Sequence, residues 1–198
     1  FENLIDKSSL KADIIKDIDL VIVRELVSDI YFGEPRGFDE VNKSAFNTMR
    51  YSETEVRRIT EYAVKLSKKR NGRITSVDKA NVLETSRLWR ETVQSMEKDY
   101  PEIKVSYEFV DAVAMRLVQW PSSYDVLITS NLFGDILTDE ASVISGSMGL
   151  MPSASIGTEN ALYEPIHGSY PQATGKKIAI SHSVIGTLTI LDLTWLLR

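Results

Sequence analysis

Short apolar runs alternate with stretches of helical periodicity through most of the chain. The apolar runs are rich in β-branched residues, which predicts strands buried on both faces of a sheet. They are Ile18–Val23, Arg73–Val77, Val105–Val110 and Asp125–Ser130. A further run, Ser44–Tyr51, predicts a strand in an exposed hairpin, because Gly33, Pro35 and Gly37 punctuate the chain just before it.

The intervening segments predict helices. Ser52 and Glu55 have the spacing of a capping box, and apolar positions then recur at helical spacing as far as Asn71-Gly72. A second helix is predicted over Leu83–Tyr100, before Pro101, and a third over Val113–Trp120. This alternation predicts an α/β fold, in which helices pack against both faces of a sheet.

Composition narrows the classes of function. The chain has 198 residues, a net charge of -5 and no cysteine. An acidic surface disfavours nucleic acid and anionic membranes as partners, and the absence of cysteine excludes disulfides and thiolate metal sites. A chain without cysteine fits a reducing compartment, so a cytoplasmic location is expected. The longest apolar stretch, Val184–Leu197, is too short to span a membrane. A shift toward Gly, Ser, Met and Pro near Gly146 predicts two domains, 1–145 and 146–198.

Two carboxylates, Asp135 and Asp139, follow the predicted strand Asp125–Ser130. Their spacing of four residues places both on one face of a helix, where like charges repel unless water screens them or a cation lies between them. In open α/β sheets, ligands bind where a strand ends and a helix begins. A solvated surface pair and a cation site are therefore both open interpretations.

Polar residues also follow the other predicted strands. Arg24 follows the first strand, with Tyr31 nearby, Lys79 follows the second, and Asp111 follows the third. Each has an ordinary alternative: Arg24 could pair with a surface acid, Lys79 could be solvated, and Asp111 could cap a helix. Taken together, they predict a site for a divalent cation and an acidic substrate.

Several motifs resemble those of the β-decarboxylating dehydrogenases, and in particular the 3-isopropylmalate dehydrogenase family. The matching segments, in the family's order, are Val23–Leu26, Ile30–Gly37, Asp78–Val82, Val110–Met115, Asn131–Ala141 and Glu164–Ser169. The acid-pair motif is typical of the wider family, and the Ile-Tyr-Phe-Gly stretch is typical of the isopropylmalate branch.

This resemblance implies oxidation and decarboxylation of 3-isopropylmalate, a 2-hydroxy diacid, with NAD and Mg²⁺ or Mn²⁺ in leucine biosynthesis. By resemblance, Arg24 binds a substrate carboxylate, Lys79 takes the hydroxyl proton, and Tyr31 protonates the enolate. The same resemblance makes Asp111, Asp135 and Asp139 the metal ligands, with Asp111 also contacting substrate. The family builds shared sites, so a homodimer is expected in which Lys79 and Asp111 face the acid pair of the partner.

The resemblance also implies how the cofactor is bound. The chain has no G-x-G-x-x-G motif, and the family binds adenosine instead at the loop matched by His167, Gly168 and Ser169. Gln172 stands where the family usually has an acidic residue, and Ile180 also departs from the family sequence. NAD is expected over NADP by resemblance alone.

The ends of the chain shape the remaining expectations. The family's amino-terminal part would lie before Phe1, and the tail 181–198 does not resemble the family. The chain is therefore expected to be a nearly complete substrate and dimerisation domain with a stub of the cofactor domain, and not to turn over isopropylmalate as given. The alternatives are a related tartrate, malate or isocitrate dehydrogenase activity, or an inactive fragment that folds and dimerises.

Overall fold

The structure is a computed structural model that describes residues 8, 10–146, 151–165 and 171–176. It divides into two compact units, residues 17–138 and residues 1–16 with 139–198. We call residues 17–138 the sheet unit. The predicted division into domains 1–145 and 146–198 stays a prediction.

Helices and strands alternate through the middle of the chain, from Glu53 to Ser142. In chain order they are α1 (Ala12–Ile15), β1 (Val21–Arg24), β2 (Gly37–Asp39), β3 (Ser44–Phe46), α2 (Glu53–Ser67), β4 (Arg73–Asp78), α3 (Glu84–Glu97), β5 (Lys104–Phe109), α4 (Val110–Gln119), β6 (Val126–Thr129), α5 (Asn131–Ser142), β7 (Pro152–Ile156) and β8 (Ala161–Pro165). Short 3-10 turns cover Pro121–Ser123 and Pro171–Ala173.

The sheet unit is built on a parallel sheet of four strands in the order β1-β6-β4-β5. Arg24 at the end of β1 is level with Thr129 at the end of β6, and Asp78 at the end of β4 is level with Phe109 at the end of β5. The carboxyl ends of the strands therefore share one edge of the sheet, which is where open α/β folds bind ligands.

Helices cover both faces of this sheet, as the α/β prediction requires. Ser76 of β4 accepts a hydrogen bond from the buried Trp89 of α3, at 3.1 Å. The next residue, Val77, points to the opposite face, because neighbouring side chains alternate along a strand. There a core cluster joins β4, β6, α4 and α5 through the side chains Val77, Val113, Leu117, Tyr124, Leu127 and Leu137.

Local sequence signals gave the right elements but some wrong boundaries. The capping box of Ser52 and Glu55 is confirmed at the start of α2. That helix ends at Ser67 and not at Asn71-Gly72, because turns follow it before Gly72 adopts a φ of 69°. Ser44–Tyr51 is wrong as one long strand, since only Ser44–Phe46 pairs, in an antiparallel hairpin with Gly37–Asp39.

The junction of β5 and α4 also differs from the prediction. The strand was predicted to run to Val110 and the helix to begin at Val113, whereas α4 begins at Val110 directly after the strand. Asp111 consequently lies in the first turn of the helix, where a carboxylate is favoured by the helix dipole.

In the second unit, β7 and β8 form an antiparallel two-stranded sheet in the range 151–165. Across the described ranges of the whole chain, none of the helices combines the length and the apolar character that crossing a membrane requires.

Candidate active site at the carboxyl ends of the strands

Arg24, Tyr31 and Asp135 form a hydrogen-bonded cluster at the carboxyl edge of the sheet. The Nη1 atom of Arg24 lies 2.5 Å from Oδ1 of Asp135, and the Tyr31 hydroxyl donates to Oδ2 at 2.7 Å. The guanidinium also lies over the Tyr31 ring, with 5.6 Å between Cζ and the ring centroid. A cation, a phenol and a carboxylate are thus assembled from β1, the following loop and α5.

The cluster shifts the pKa values of its members in opposite directions. The hydrogen bond from Tyr31, together with the charge of Arg24, lowers the pKa of Asp135. The same hydrogen bond raises the pKa of Tyr31, because the neighbouring carboxylate disfavours a phenolate. Tyr31 is therefore a protonated donor and Asp135 an ionised acceptor at neutral pH.

A buried network fixes the loop that carries Tyr31. Asp29 is 1% exposed, and its carboxylate accepts the Leu132 N–H at 3.0 Å and the Tyr51 hydroxyl at 3.2 Å. The Tyr51 oxygen in turn accepts the Asn131 N–H at 2.9 Å. Burial raises the pKa of Tyr51, so its hydroxyl stays protonated and can donate to Asp29. Sequence reasoning missed this network, which joins the loop to the first turn of α5.

A second buried acid supports the same loop. Glu25 is 3% exposed, accepts the Ser28 N–H at 3.0 Å and pairs with Arg58 of α2 at 2.6 Å. The Ser28 hydroxyl donates to Glu55, the capping-box residue of α2. The loop after β1 is therefore tied to α2 as well as to α5.

Lys79 and Asp111 form a separate ion pair at the ends of β4 and β5. Lys79 Nζ lies 2.6 Å from Asp111 Oδ1 and 5.5 Å from the centroid of the Phe109 ring. The hydrogen bond from Lys79 lowers the pKa of Asp111, whose side chain is mostly exposed. A charged amine and an ionised carboxylate thus face solvent together at this edge.

Asp78, the last residue of β4, holds the backbone beside Lys79. It is 1% exposed and takes a bidentate contact from Arg90, with Nε and Nη2 at 2.8 and 2.9 Å from its two oxygens. Its Oδ1 also accepts the Ala80 N–H at 2.9 Å. Nothing in the sequence indicated this pair except the position of Asp78 at a strand end.

The three predicted metal ligands do not gather within the described part of one chain. Asp111 pairs with Lys79 and Asp135 with Arg24, and no group of three acidic, histidine or cysteine side chains suited to a metal is found among the described residues. Asp139 is exposed and lies on α5, four residues after Asp135. All three side chains offer carboxylate oxygens, which suit a hard cation such as Mg²⁺ or Mn²⁺.

Of the residues predicted to bind the cofactor, only Gln172 lies among the described residues. His167, Gly168, Ser169 and Ile180 lie outside the described residues. Gln172 is exposed in the 3-10 turn Pro171–Ala173, which belongs to the second compact unit. Their roles stay predictions.

Comparison with known proteins gives a consistent result. The family model described as isocitrate/isopropylmalate dehydrogenase matches residues 1–195. The expectation that the tail 181–198 does not resemble the family is therefore wrong for residues 181–195. The 3-isopropylmalate dehydrogenase of Wolinella succinogenes is 51% identical over 191 residues, which cover 96% of this chain and 53% of that protein. The 3-isopropylmalate dehydrogenase of Aquifex aeolicus is 50% identical over 181 residues, covering 90% of this chain and 50% of the relative. The chain thus spans about half the length of these relatives.

Solved structures agree with the sequence matches. The isocitrate dehydrogenase of Methylococcus capsulatus is similar with a TM-score of 0.84 and 35% identity, over 92% of this chain and 54% of that one. A β-decarboxylating dehydrogenase of Thermococcus kodakarensis gives a TM-score of 0.77 and 35% identity, over 91% of this chain and 53% of that one. From its sequence and its fold, the chain belongs to the isocitrate/isopropylmalate dehydrogenase family.

Proposed function

We propose that the chain is the substrate-binding part of a 3-isopropylmalate dehydrogenase. In this reaction 3-isopropylmalate is oxidised and decarboxylated to 4-methyl-2-oxopentanoate, with NAD and Mg²⁺ or Mn²⁺, in leucine biosynthesis in the cytoplasm. The observation that carries the proposal is the hydrogen-bonded cluster of Arg24, Tyr31 and Asp135 at the carboxyl edge of the parallel sheet. The relatives of about 50% identity that bear this name support the choice of substrate.

Each residue has a role that its chemistry suits. Arg24 binds one substrate carboxylate, because a guanidinium is a permanent cation that forms charge-assisted hydrogen bonds to carboxylates. Lys79 takes the proton of the substrate hydroxyl, directly or through water, as a general base once its ammonium group has lost a proton to solvent. Tyr31 gives a proton to the carbon that loses carbon dioxide. The hydrogen bond to Asp135 raises the pKa of Tyr31, so the phenol is protonated at neutral pH and has a proton to give.

Asp111, Asp135 and Asp139 would hold the divalent cation. When bound, such an ion supplies Lewis-acid stabilisation to the negative oxygen that develops during decarboxylation. By holding the cation in place, the carboxylates fix the position at which the negative oxygen of the substrate is stabilised. Asp111 would also contact the substrate. In the absence of ligands, Asp111 and Asp135 are held ionised by Lys79, Tyr31 and Arg24.

In a homodimer with shared sites, Asp111 of one chain would lie close to the acid pair Asp135 and Asp139 of the other chain. Asp111, Met115 and Val118 recur at helical spacing on α4, and Met115 and Val118 are 52% and 41% exposed. Ile136, beside Asp135 on α5, is 54% exposed. An exposed apolar stripe that adjoins a predicted metal ligand is the kind of surface a second copy would cover. Sedimentation of Met115→Glu against the unchanged chain tests this, because a buried charge should dissociate a dimer.

NAD is proposed as the oxidant from family membership, with His167, Gly168, Ser169 and Gln172 as the residues that would contact it. A second candidate is a related 2-hydroxy acid substrate, which the similar solved structures favour. Similar solved structures include an isocitrate dehydrogenase, so isocitrate is a 2-hydroxy acid to compare, together with malate and tartrate.

The test places residues 10–146 into the Wolinella succinogenes relative, in exchange for its matching segment. NADH formation should be fastest with 3-isopropylmalate among the four 2-hydroxy acids. Lys79→Ala should lower kcat by about 100- to 10,000-fold, which is the usual effect of a positioned acid-base group. Lys43→Ala, which removes an exposed lysine paired with Glu40, is the matched control.

Three outcomes would contradict the proposal. Faster turnover of isocitrate, malate or tartrate would favour the second substrate class. No turnover of any of the four 2-hydroxy acids in a folded chimera would favour the inactive-fragment interpretation. A Lys79→Ala variant that lost substrate affinity and kept its turnover would show that Lys79 only positions the substrate.

A further inference from the structure

We infer that Asn131 and Gly134, in the first turn of α5, are positioning residues for the Arg24 guanidinium. The inference rests on the proposed function, in which Arg24 binds a substrate carboxylate. Neither residue has a group that could transfer a proton or bind a cation strongly. Their contribution is to hold the guanidinium in one orientation before substrate arrives.

Asn131 holds Arg24 through an amide whose orientation is fixed by its own surroundings. The residue is 2% exposed. Its Nδ2 donates to the backbone carbonyl of Ser28 at 3.1 Å, and its Oδ1 accepts from Arg24 Nε at 2.9 Å. A backbone carbonyl can only accept, so the amide nitrogen must face Ser28 and the amide oxygen must face Arg24. Turning the amide over would break both hydrogen bonds.

Gly134 leaves the space that the Arg24 stem fills. A Cβ at this position would lie 2.6 Å from Arg24 Cγ, 2.9 Å from Arg24 Cβ and 2.4 Å from Thr129 Oγ1. These distances are shorter than any tolerated contact, and Thr129 is fully buried in β6. Glycine is a poor residue for a helix interior, so its presence here has a packing reason. Alanine would push the Arg24 stem away from α5.

Together these contacts engage Nε and Nη1 of the guanidinium and leave Nη2 available. Nε is held by Asn131, and Nη1 is held by Asp135 at 2.5 Å. Within the residues that the structure describes, Nη2 makes no hydrogen bond to protein. Because the guanidinium is planar and its Nε edge is fixed, the direction in which Nη2 points is fixed as well. Nη2 is the part of Arg24 that an incoming carboxylate can contact.

The first experiment reads the Arg24 Nε–H directly by NMR of the 198-residue chain, with the signal assigned by its loss in Arg24→Lys. In the unchanged chain this proton should exchange slowly with solvent. Asn131→Ala should remove the protection, whereas Asn131→Asp should retain it, since a carboxylate can accept the same hydrogen bond. Gly134→Ala should also shift the Arg24 Nε–H signal, because the added methyl group displaces the Arg24 stem.

Matched controls come from the exposed hairpin. Asn42→Ala removes an asparagine whose amide donates to Asp39, and Gly37→Ala adds a Cβ that meets the Phe46 ring at 3.4 Å, an ordinary contact. Neither should alter the Arg24 signal. An unchanged Arg24 Nε–H in folded Asn131→Ala would overturn the role of Asn131. An unchanged signal in Gly134→Ala would overturn the role of Gly134. This result can be obtained even if Asn131→Ala does not fold.

The second experiment measures binding of 3-isopropylmalate by calorimetry with Mn²⁺ present. Asn131→Ala and Gly134→Ala should each weaken binding by about ten- to a hundredfold, the effect of disturbing a hydrogen bond to a charged group. Asn131→Asp should restore part of the affinity. Equal affinities in the unchanged chain and Asn131→Ala would refute the positioning role. If the NMR results hold but the unchanged chain binds no isopropylmalate, the proposed function fails and the positioning of Arg24 stands.

Discussion

Removing the charge of Arg24 is expected to tighten divalent-cation binding at Asp135. Both oxygens of this carboxylate are engaged, one by Arg24 Nη1 at 2.5 Å and the other by the Tyr31 hydroxyl at 2.7 Å. A cation that binds Asp135 must compete with at least one of these contacts. The variant Arg24→Gln removes the positive charge while keeping a side chain that can hydrogen bond.

The magnitude follows from how exposed the pair is. The Arg24 side chain is 24% exposed and that of Asp135 is 49% exposed, so water screens their attraction. Ion pairs near the surface contribute up to about 1 kcal/mol. Freeing Asp135 from this competitor should therefore lower the Kd for the cation by about fivefold. Loss of the repulsion between Arg24 and the cation acts in the same direction.

Calorimetric titration of Mn²⁺ into the chain measures this effect. The control is Arg57→Gln, which changes the net charge equally and affects an arginine paired with Glu53 on the surface of α2. Mn²⁺ affinity should rise in Arg24→Gln and stay unchanged in Arg57→Gln. An affinity that falls or stays level in Arg24→Gln would refute the competition between Arg24 and the cation.

A dicarboxylate should have a related effect in the unchanged chain. An anion that draws Arg24 away from Asp135 favours cation binding, and by thermodynamic linkage the cation favours anion binding by the same factor. Saturating malate should therefore lower the Kd for Mn²⁺ in the unchanged chain and have little effect in Arg24→Gln. An equal effect of malate in both chains would show that the coupling does not pass through Arg24.

Three further predictions concern the acids of the chain. Asp135→Asn combined with Asp139→Asn should abolish Mn²⁺ binding by calorimetry, and an unchanged affinity would make the pair a solvated face. Asp125→Asn should destabilise the chain by about 3 kcal/mol in urea unfolding, because it leaves the mostly buried Arg70 without its buried partner; Asp19→Asn, whose side chain is 78% exposed and pairs with the same arginine, should cost under about 1 kcal/mol. Burial disfavours the charged form of Glu55, but hydrogen bonds from Ser28 and Ser52 outweigh it and lower the pKa. This stabilisation is present above the unfolded-state pKa of about 4.3 and is lost as the pH falls through the pKa of the folded state. Glu55→Gln should therefore lower the free energy of unfolding by about 1 kcal/mol at neutral pH and by little in acid. The exposed control Glu53→Gln should not show this pH dependence.

The sequence predicted the elements whose causes are local. The capping box of α2 depends on two residues three positions apart, and the strand β4 depends on a short apolar run, so both were found. The start of α4 was missed because Val110 follows the strand with no loop and has strand propensity itself. Only the packed structure decides between strand and helix at such a residue.

The sequence was sufficient to identify the residues of the candidate site, but not the contacts that they make. Arg24, Lys79, Asp111 and Asp135 all follow strand ends, which periodicity and residue chemistry indicate. Their partners were not predictable, because Arg24 and Asp135 are 111 positions apart and meet only since β1 lies beside β6. Gly134 has no functional group, so only the geometry of its missing Cβ shows why a glycine stands there.

Charge balance connects the two halves of the candidate site. Arg24 neutralises Asp135, and Lys79 neutralises Asp111, so each proposed substrate-binding or catalytic cation is paired with a proposed metal ligand. A divalent cation adds two positive charges to the carboxylates, and a dianionic diacid adds two negative charges to the arginine and lysine. Either ligand alone leaves an unbalanced charge at a partly desolvated edge, which costs free energy. The two together restore balance, so these pairings favour joint binding of cation and substrate over binding of either one.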